Sequence, residues 1–599
     1  FVPLAMSVVF AMLTSYFLSR TLVPTMMHYL MAAEAEKHAT GHDEPPKGIF
    51  GRFIARFEAG FARLRDRYGG MLAWALEHRQ GVVIGFAIFV VCSVSLMPLL
   101  GRDFFPSVDA GLIKLHVRGT PGTRIEETER KFVQLEDAIR TVIPPDEIQT
   151  MLDNIGIPYS GLNLSLSEGA LISPADGEIF IALKEDHKST PAYVRRIRQT
   201  LEKQFPEQTF FFLAPDISTQ VLNFGLPAPI DVQVVGAIGN EDATYGVAKQ
   251  IAARMTSIPG AADVHLAQVP KTPELRIDVD RTMAGQLGVT ERDVASDLLV
   301  SLASSQVVAP TYWLDKRGVQ YLVAVQTPQR ELNSIDAMNV MPVSNGSDRP
   351  QLLSNLASIS RTEGPVNITH FNVSRTYDVQ ANVDGTDLGS VASGVQKVVD
   401  EVTKAGLPRG TTIKIKGQVE SMESSFRGLA FGLIFAILLV YLLMVVNFQS
   451  WLDPLVILMA LPGAIAGISW MLFLSHTTLS VPALMGSIMC VGVATANSIL
   501  VVTFANDMRV VGLDSVKAAL AAGMTRIRPV IMTALAMILG MLPMSLGLGE
   551  GGEQNAPLGR AVIGGLLLAT VTTLFFVPVM YSLLRTKPPA AIDPTLEEV

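Results

Sequence analysis

Residues 454–506 read PLVILMALPGAIAGISWMLFLSHTTLSVPALMGSIMCVGVATANSILVVTFAN, a stretch with no Asp, Glu, Lys or Arg and one histidine, His476. A membrane-crossing helix needs about 20 predominantly apolar residues. The stretch is too long for one crossing, and it divides at the polar turn Ser475, His476, Thr477. The same criterion, carried outward, finds uncharged runs at 428–452, 529–549, 561–584 and 81–101, and an opening run over 1–33 broken by Arg20. With their flanks, the predicted spans are 1–33, 80–101, 426–452, 454–475, 477–506, 527–549 and 556–585. Seven crossings place the two ends of the chain on opposite sides of the membrane.

The whole chain supports this reading. Of its 599 residues 17% are charged, against roughly 25% in soluble globular domains. Hydrophobic residues make up 49%, and the mean hydropathy is +0.36. That balance excludes a disordered chain, an ordinary soluble enzyme and a basic nucleic-acid binder, so no nucleic-acid partner is expected. The two cysteines, Cys92 and Cys490, both lie in apolar runs, which excludes a disulfide scaffold. The chain opens at Phe1 with no basic segment ahead of its first apolar run, which reads as a cut from a longer polypeptide rather than a signal peptide.

Orientation follows from Lys and Arg in the short loops. Residues 34–80 hold eight and 507–528 hold four, Arg509, Lys517, Arg526 and Arg528. The turn at His476 holds none, and 550–560 holds only Arg560. The basic loops are therefore expected in the cytoplasm and residues 102–427 outside. Within the first loop (34–79), Phe50, Phe53, Phe57, Phe61 and Leu64 recur at helical spacing while Arg52, Arg56, Arg63 and Arg67 fall mostly on other faces. This predicts an amphipathic helix on the inner membrane surface, in contact with lipid; packing on protein is the alternative.

Residues 102–427 read as α+β. Ile113, Leu115 and Val117 alternate with Lys114 and His116, which indicates a half-buried strand. Thr123 and Glu126 are spaced as a capping box ahead of a helix carrying Phe132, Leu135 and Ile139 on one face. Strands near 148–151, 179–183 and 210–213 and a helix over 191–204 complete two β-α-β halves, a ferredoxin-like arrangement in 102–228. A second such unit is expected from 229–285 with 372–417, including strands at 230–234, 264–266, 275–279, 377–383 and 412–416. Residues 286–371 are then an insertion with a hairpin near 312–325. The loop 155–177, rich in Gly, Ser and Leu, fits either a strip bordering an apolar cleft or a plain linker.

No nucleotide, serine-hydrolase, zinc-protease or CxxC motif is present, and the nine histidines are scattered, so neither catalytic residues, a cofactor nor a metal site is expected. Uphill work would have to draw on an ion gradient. Polar groups inside membrane spans are functional candidates. Asn497 lies in the middle of a span packed with small residues, and Arg526 and Thr533 lie two helical turns apart on one face of the next, from which Arg526 could reach toward Asn497. The same residues also fit interfacial charge and helix-packing contacts.

Four stretches then carry a family likeness: FQSWLDP (448–454), ANSILVV (496–502), RIRPVIMT (526–533) and FFVPV (575–579), with LRIDVD (275–280) outside the membrane. The chain resembles the C-terminal half of resistance-nodulation-division (RND) efflux permeases of the hydrophobe/amphiphile, acriflavine-resistance type. The resemblance implies a polytopic α-helical membrane protein with a periplasmic α+β region of ferredoxin-like porter units and a docking insertion (286–371). It implies a proton antiporter in the bacterial inner membrane, exporting amphiphilic or drug-like compounds by alternating access. Its implied partners are the N-terminal half of the same transporter with the first five of twelve spans, two further copies in a homotrimer, a periplasmic adaptor and an outer-membrane channel. Arg526, Thr533 and Asn497 match the proton relay, whose acidic pair is expected on a helix outside this chain; Ala496 stands where the drug exporters have a relay Lys. Tyr159 and Phe180 match aromatics of the substrate pocket, where Leu152 and Ile157 replace others, and Phe210 and Phe212 match entrance-cleft aromatics or serve as strand core. A protein- or lipid-handling accessory and a heavy-metal exporter of the same superfamily are the alternatives.

Overall fold

The computed structural model describes residues 2–30, 49–157, 171–306, 308, 310–346, 349–549 and 551–586. Among these, seven helices are long and apolar enough to cross a membrane: Met6–Tyr29, Arg79–Leu99, Gln418–Phe448, Leu452–Leu474, Val481–Val510, Ser515–Ser545 and Gly552–Leu584. Two begin well before their apolar runs, because packing rather than hydropathy sets their ends. The polar first turns of Gln418–Phe448 bury Val419 and Met422 in the core of a water-exposed unit. The first half of Ser515–Ser545 presents Ala519, Ala522 and Gly523 to Tyr68 and Leu72.

The bundle depends on close backbone approach, as expected where lipid removes the hydrophobic drive between helices. A Cβ on Gly467 would lie 2.2 Å from the Gly564 carbonyl oxygen, and one on Gly564 would lie 2.6 Å from the Gly467 carbonyl oxygen. Gly467→Val is expected to lower stability by about 1–3 kcal/mol, the usual cost of overpacking; thermal unfolding of the purified protein measures it. The predicted surface helix is present as Ile49–Glu77. Tyr68, Leu72, Ala75 and Leu76 bury its inner face against the bundle, while Phe57, Leu64, Met71 and Trp74 are exposed. The helix therefore packs on protein along one side and offers an apolar stripe along the other.

The first water-exposed unit has strands Leu112–Arg118, Ile148–Ile155, Asp176–Leu183 and Thr209–Leu213 and helices Ile125–Val142 and Thr190–Gln204. Its antiparallel sheet runs, edge to edge, Ile148–Ile155, Asp176–Leu183, Leu112–Arg118, Thr209–Leu213. Ile113, Leu115 and Val117 face the helices, as predicted. Lys114, His116 and Arg118 are also buried, so the strand is covered on both faces rather than half-buried. The capping box does not form: Arg124 is the N-cap without a side-chain bond, and the Thr123 hydroxyl donates to the Thr120 carbonyl instead.

The second unit has strands Ile230–Val235, Ala261–Leu266, Ser374–Val383 and Thr412–Gly417, the short strand Thr369–Phe371 and helices Glu241–Met255 and Leu388–Ala405. Strand Thr272–Val279, expected in this sheet, pairs instead with Ala357–Gly364. The reason is packing: Ile277 and Val279 lie against the insertion's core of Val289, Val294, Met338 and Leu353. The hairpin of the insertion is Thr311–Leu314 with Gln320–Val323.

One feature of the cores matters for function. The second unit's core includes Phe104, Val419, Met422 and Val481, the last three from the first turns of membrane helices Gln418–Phe448 and Val481–Val510. Among the described residues, the first unit's core contains none from a membrane helix. Those two helices are thus built into the second unit, whereas the first unit meets the bundle through Asp109, whose N–H donates to Glu553 Oε2 at 2.8 Å and whose carboxylate accepts from the Thr190 N–H at 3.0 Å.

Candidate functional site

Inside the membrane bundle, Val481–Val510 carries Asn497, 4% exposed, toward Ser515–Ser545. The Thr533 hydroxyl lies 2.9 Å from Asn497 Oδ1 and 3.0 Å from the Val530 carbonyl oxygen, so it can serve either acceptor. One residue on, the Ser498 and Thr573 hydroxyls are 2.9 Å apart. Thr573 belongs to the π-helical turn Thr572–Phe576, a distortion often found at functional sites. The structure thus brings Asn497 and Thr533 together. It does not bring Arg526 to them: the guanidinium lies over the Phe504 ring, 4.9 Å from its centroid, and its buried Nε has no hydrogen-bond partner among the described residues. Gly492, Ala496 and Leu500 present an open face beside this cluster, on which Thr533 is also exposed.

A second polar cluster closes the end of the bundle away from the two units. Asp453, 1% exposed, accepts hydrogen bonds from Arg585 Nη2 at 2.9 Å and Asn506 Nδ2 at 3.3 Å through Oδ2. The Tyr581 hydroxyl donates to Asn506 Oδ1 at 2.7 Å. The sequence held a signal for this cluster, a lone acid at the edge of an apolar run and an arginine just past the last span, but nothing in its spacing joined the two.

In the water-exposed region the predicted pathway residues divide between the two edges of the first unit's sheet. Leu152 and Ile157 are 61% and 49% exposed along one edge. Phe180 sits cross-strand from Leu152 and Lys114, with the Lys114 ammonium 5.2 Å from its ring centroid. Tyr159 lies outside the described residues. At the other edge Phe210 and Phe212 are buried in the first unit's core, the strand-core reading. Phe210 also borders a cavity of about 510 Å³ between the units, whose walls include Arg198, Asp263 and Asp384.

Sequence reasoning missed the residue between them. Phe211 points the other way and is stacked between His116 of its own unit and His265 of the second, with centroid distances of 4.3 and 3.7 Å. His116 is fully buried, and neither ring nitrogen has a hydrogen-bond partner among the described residues; the Glu178 carboxylate is 3.7 Å from Nδ1. His265 Nδ1 donates to the Asp263 carbonyl at 2.7 Å. Burial holds both imidazoles below their ordinary range, His116 well below it and His265 down to about 4. Unfolded histidine titrates near 6.5, so between those values the unfolded chain binds the proton and the folded one does not. His265 therefore costs stability as pH falls from about 6.5 toward about 4. Asp231, which burial pushes up to about 8, acts in the opposite sense. The test is a difference: on going from pH 7 to pH 5, His265→Phe is expected to lose about 2 kcal/mol less stability than the parent, by thermal unfolding at each pH.

Comparison with known proteins follows from this geometry. The AcrB/AcrD/AcrF family matches residues 1–585. The cobalt-zinc-cadmium resistance protein CzcA of Cupriavidus metallidurans is 26% identical over 99% of this chain and 54% of its own length. The multidrug resistance protein MdtC of Erwinia tasmaniensis is 26% identical over 94% of this chain and 51% of its own length. The crystal structure of a heavy metal efflux pump superposes with a TM-score of 0.73 at 26% identity, covering 88% of this chain and 53% of that one. The chain spans about half the length of these relatives, which include both multidrug and heavy-metal proteins. On the match to 585 consecutive residues and the shared fold, the chain belongs to the AcrB/AcrD/AcrF family of RND permeases.

Proposed function

We propose that the chain forms part of the inner-membrane subunit of a proton-driven tripartite efflux pump that exports amphiphilic or drug-like compounds. The observation that carries this reading is the Thr533–Asn497 contact inside the membrane, on a helix whose first residue, Val481, is built into the second unit's core. A change of charge beside Asn497 then has a rigid route to the water-exposed region. The open face of Gly492, Ala496 and Leu500 suits a carboxylate-bearing helix from the rest of the transporter, and Arg526, resting on Phe504, compensates that carboxylate when it is ionised. With Ala496 at the position of the drug exporters' lysine, Arg526 is the cation of the relay. The basic loops orient the units toward the periplasm, where they act as porter domains by alternating access. The exposed hairpin residues Tyr312, Trp313 and Leu314 suit the docking insertion to protein contacts, as in a homotrimer joined to an adaptor and an outer-membrane channel.

The likeness to CzcA and to the solved heavy metal efflux pump favours a second reading, metal export. Among the described residues, however, no group of three or more His, Cys, Asp or Glu is placed to hold a metal ion. Four thioethers of this region are spent on packing, Met255 and Met422 in the second unit's core and Met338 and Met341 in the insertion's, while Met283 is 46% exposed. Vesicles holding the intact transporter separate the two readings. Proton-driven movement of a lipophilic dye, with zinc and cobalt left behind, is expected; movement of the metals without the dye overturns the amphiphile reading.

A further inference from the structure

The two water-exposed units meet along strands Thr209–Leu213 and Ala261–Leu266, where Arg118 Nη1 donates to the Leu266 and Ala267 carbonyls at 3.0 and 3.2 Å and two carboxylates, Asp263 and Asp384, carry the charged part of the joint. Asp263, its side chain 1% exposed, accepts from Arg198 Nε at 2.7 Å and Nη2 at 3.1 Å, from the Phe212 N–H at 3.2 Å and from Asn382 Nδ2 at 2.7 Å. Asn382 Nδ2 also lies 2.6 Å from the Phe212 carbonyl oxygen. Asp263 is held at φ +53°, a left-handed conformation that a non-glycine residue keeps only where its surroundings enforce it.

The outer half of the joint is built differently. Arg198 Nη1 donates to Asp384 at 2.8 Å, and Arg195 Nη2 donates to the same carboxylate at 2.8 Å. The Asp384 side chain is 25% exposed and that of Arg195 50%, while that of Arg198 is 13% exposed. Arg198 thus bridges a buried carboxylate and a hydrated one, and all three of Arg198, Asp263 and Asp384 form walls of the 510 Å³ cavity that Phe210 borders.

We infer that Arg198 is the pin of a latch: Asp263 anchors it, and the pairing of Asp384 with Arg195 and Arg198 is the half that releases when the two units part and open the cavity to cargo. The chemistry suits a reversible joint. An apolar seam of the same area holds at least as firmly, but parting it exposes grease to water, whereas an ion pair at a wet rim exchanges its partner for water at little net cost. The position suits it as well. The latch joins the unit whose core includes membrane-helix residues to a unit whose described core does not, so the two are tied to the bundle by different contacts. The inference rests on the export reading for its purpose, though not for its geometry.

The test uses the intact transporter with its native cysteines, Cys92 and Cys490 among them, replaced by serine and spin labels on Gln208→Cys and Thr256→Cys, which line the cavity from its two sides. Asp384→Asn is expected to raise the population with the longer inter-label distance roughly three- to tenfold. Asp384→Glu, which keeps the carboxylate, is expected to stay near the parent. An unchanged distance distribution in Asp384→Asn overturns the latch, and so does an equal opening in Asp384→Glu. Cargo movement is scored separately in the same vesicles, so failure of the export reading leaves the distances to decide the latch on their own.

Discussion

Asn497→Leu is expected to cut proton-driven export by about 100-fold, the scale on which misplacing reacting groups acts, while the protein still assembles in the membrane. The leucine keeps the branched shape and heavy-atom count of the side chain and removes the acceptor for the Thr533 hydroxyl. Thr533→Val removes the other end of the same contact and is expected to produce a similar loss, whereas Thr533→Ser keeps the hydroxyl and most of the rate. If the two groups act as one unit, Asn497→Leu with Thr533→Val falls little below either alone. Initial rates of dye efflux from energised vesicles, normalised to the transporter present, measure all four. A purely structural contact predicts something else: lower thermal stability, with the rate per folded molecule unchanged.

The second large effect concerns stability. Asp453→Ala leaves Arg585, a side chain 16% exposed, without its carboxylate at the end of the bundle away from the two units. Removing one partner of a buried ion pair costs about 3–5 kcal/mol, because the remaining charge stays desolvated. Asp453→Ala is therefore expected to unfold at markedly lower temperature, and Asp453→Ala with Arg585→Met to recover most of the loss, since no charge is then stranded. A double variant as unstable as the single one contradicts the ion-pair account and points instead to the Asn506 contact at 3.3 Å.

What the sequence revealed follows from the range of the forces involved. Membrane spans are written in contiguous residues, so hydropathy finds all seven, and it misses only the ends that tertiary packing extends, such as the turns carrying Val419 and Met422. Strand alternation found Ile113, Leu115 and Val117, but it could not show that the opposite face of that strand is buried too, because its partners, Glu178 and Phe211 of the same unit and the Leu266 carbonyl of the second, are distant in the chain. The same limit hid the histidine stack and the Asp263 joint. His116 and His265, or Arg198 and Asp263, are far apart in the chain, and no local spacing links them. Strand Thr272–Val279 has the same alternating pattern as its neighbours, so pattern alone could not assign it to the insertion rather than the second unit's sheet. In the membrane, shared helical face placed Arg526 with Thr533, but two helical turns separate them, and the guanidinium rests over Phe504 while Asn497 pairs with Thr533.

The account stands on charge movement beside Asn497 driving the second unit through the Val481–Val510 helix. The most direct measurement is cargo movement by the intact transporter in vesicles, first with a pH difference imposed and then with it collapsed at a constant cargo gradient. Transport falling to the level of passive leak on collapse is the predicted result. Transport continuing at the same rate contradicts the account.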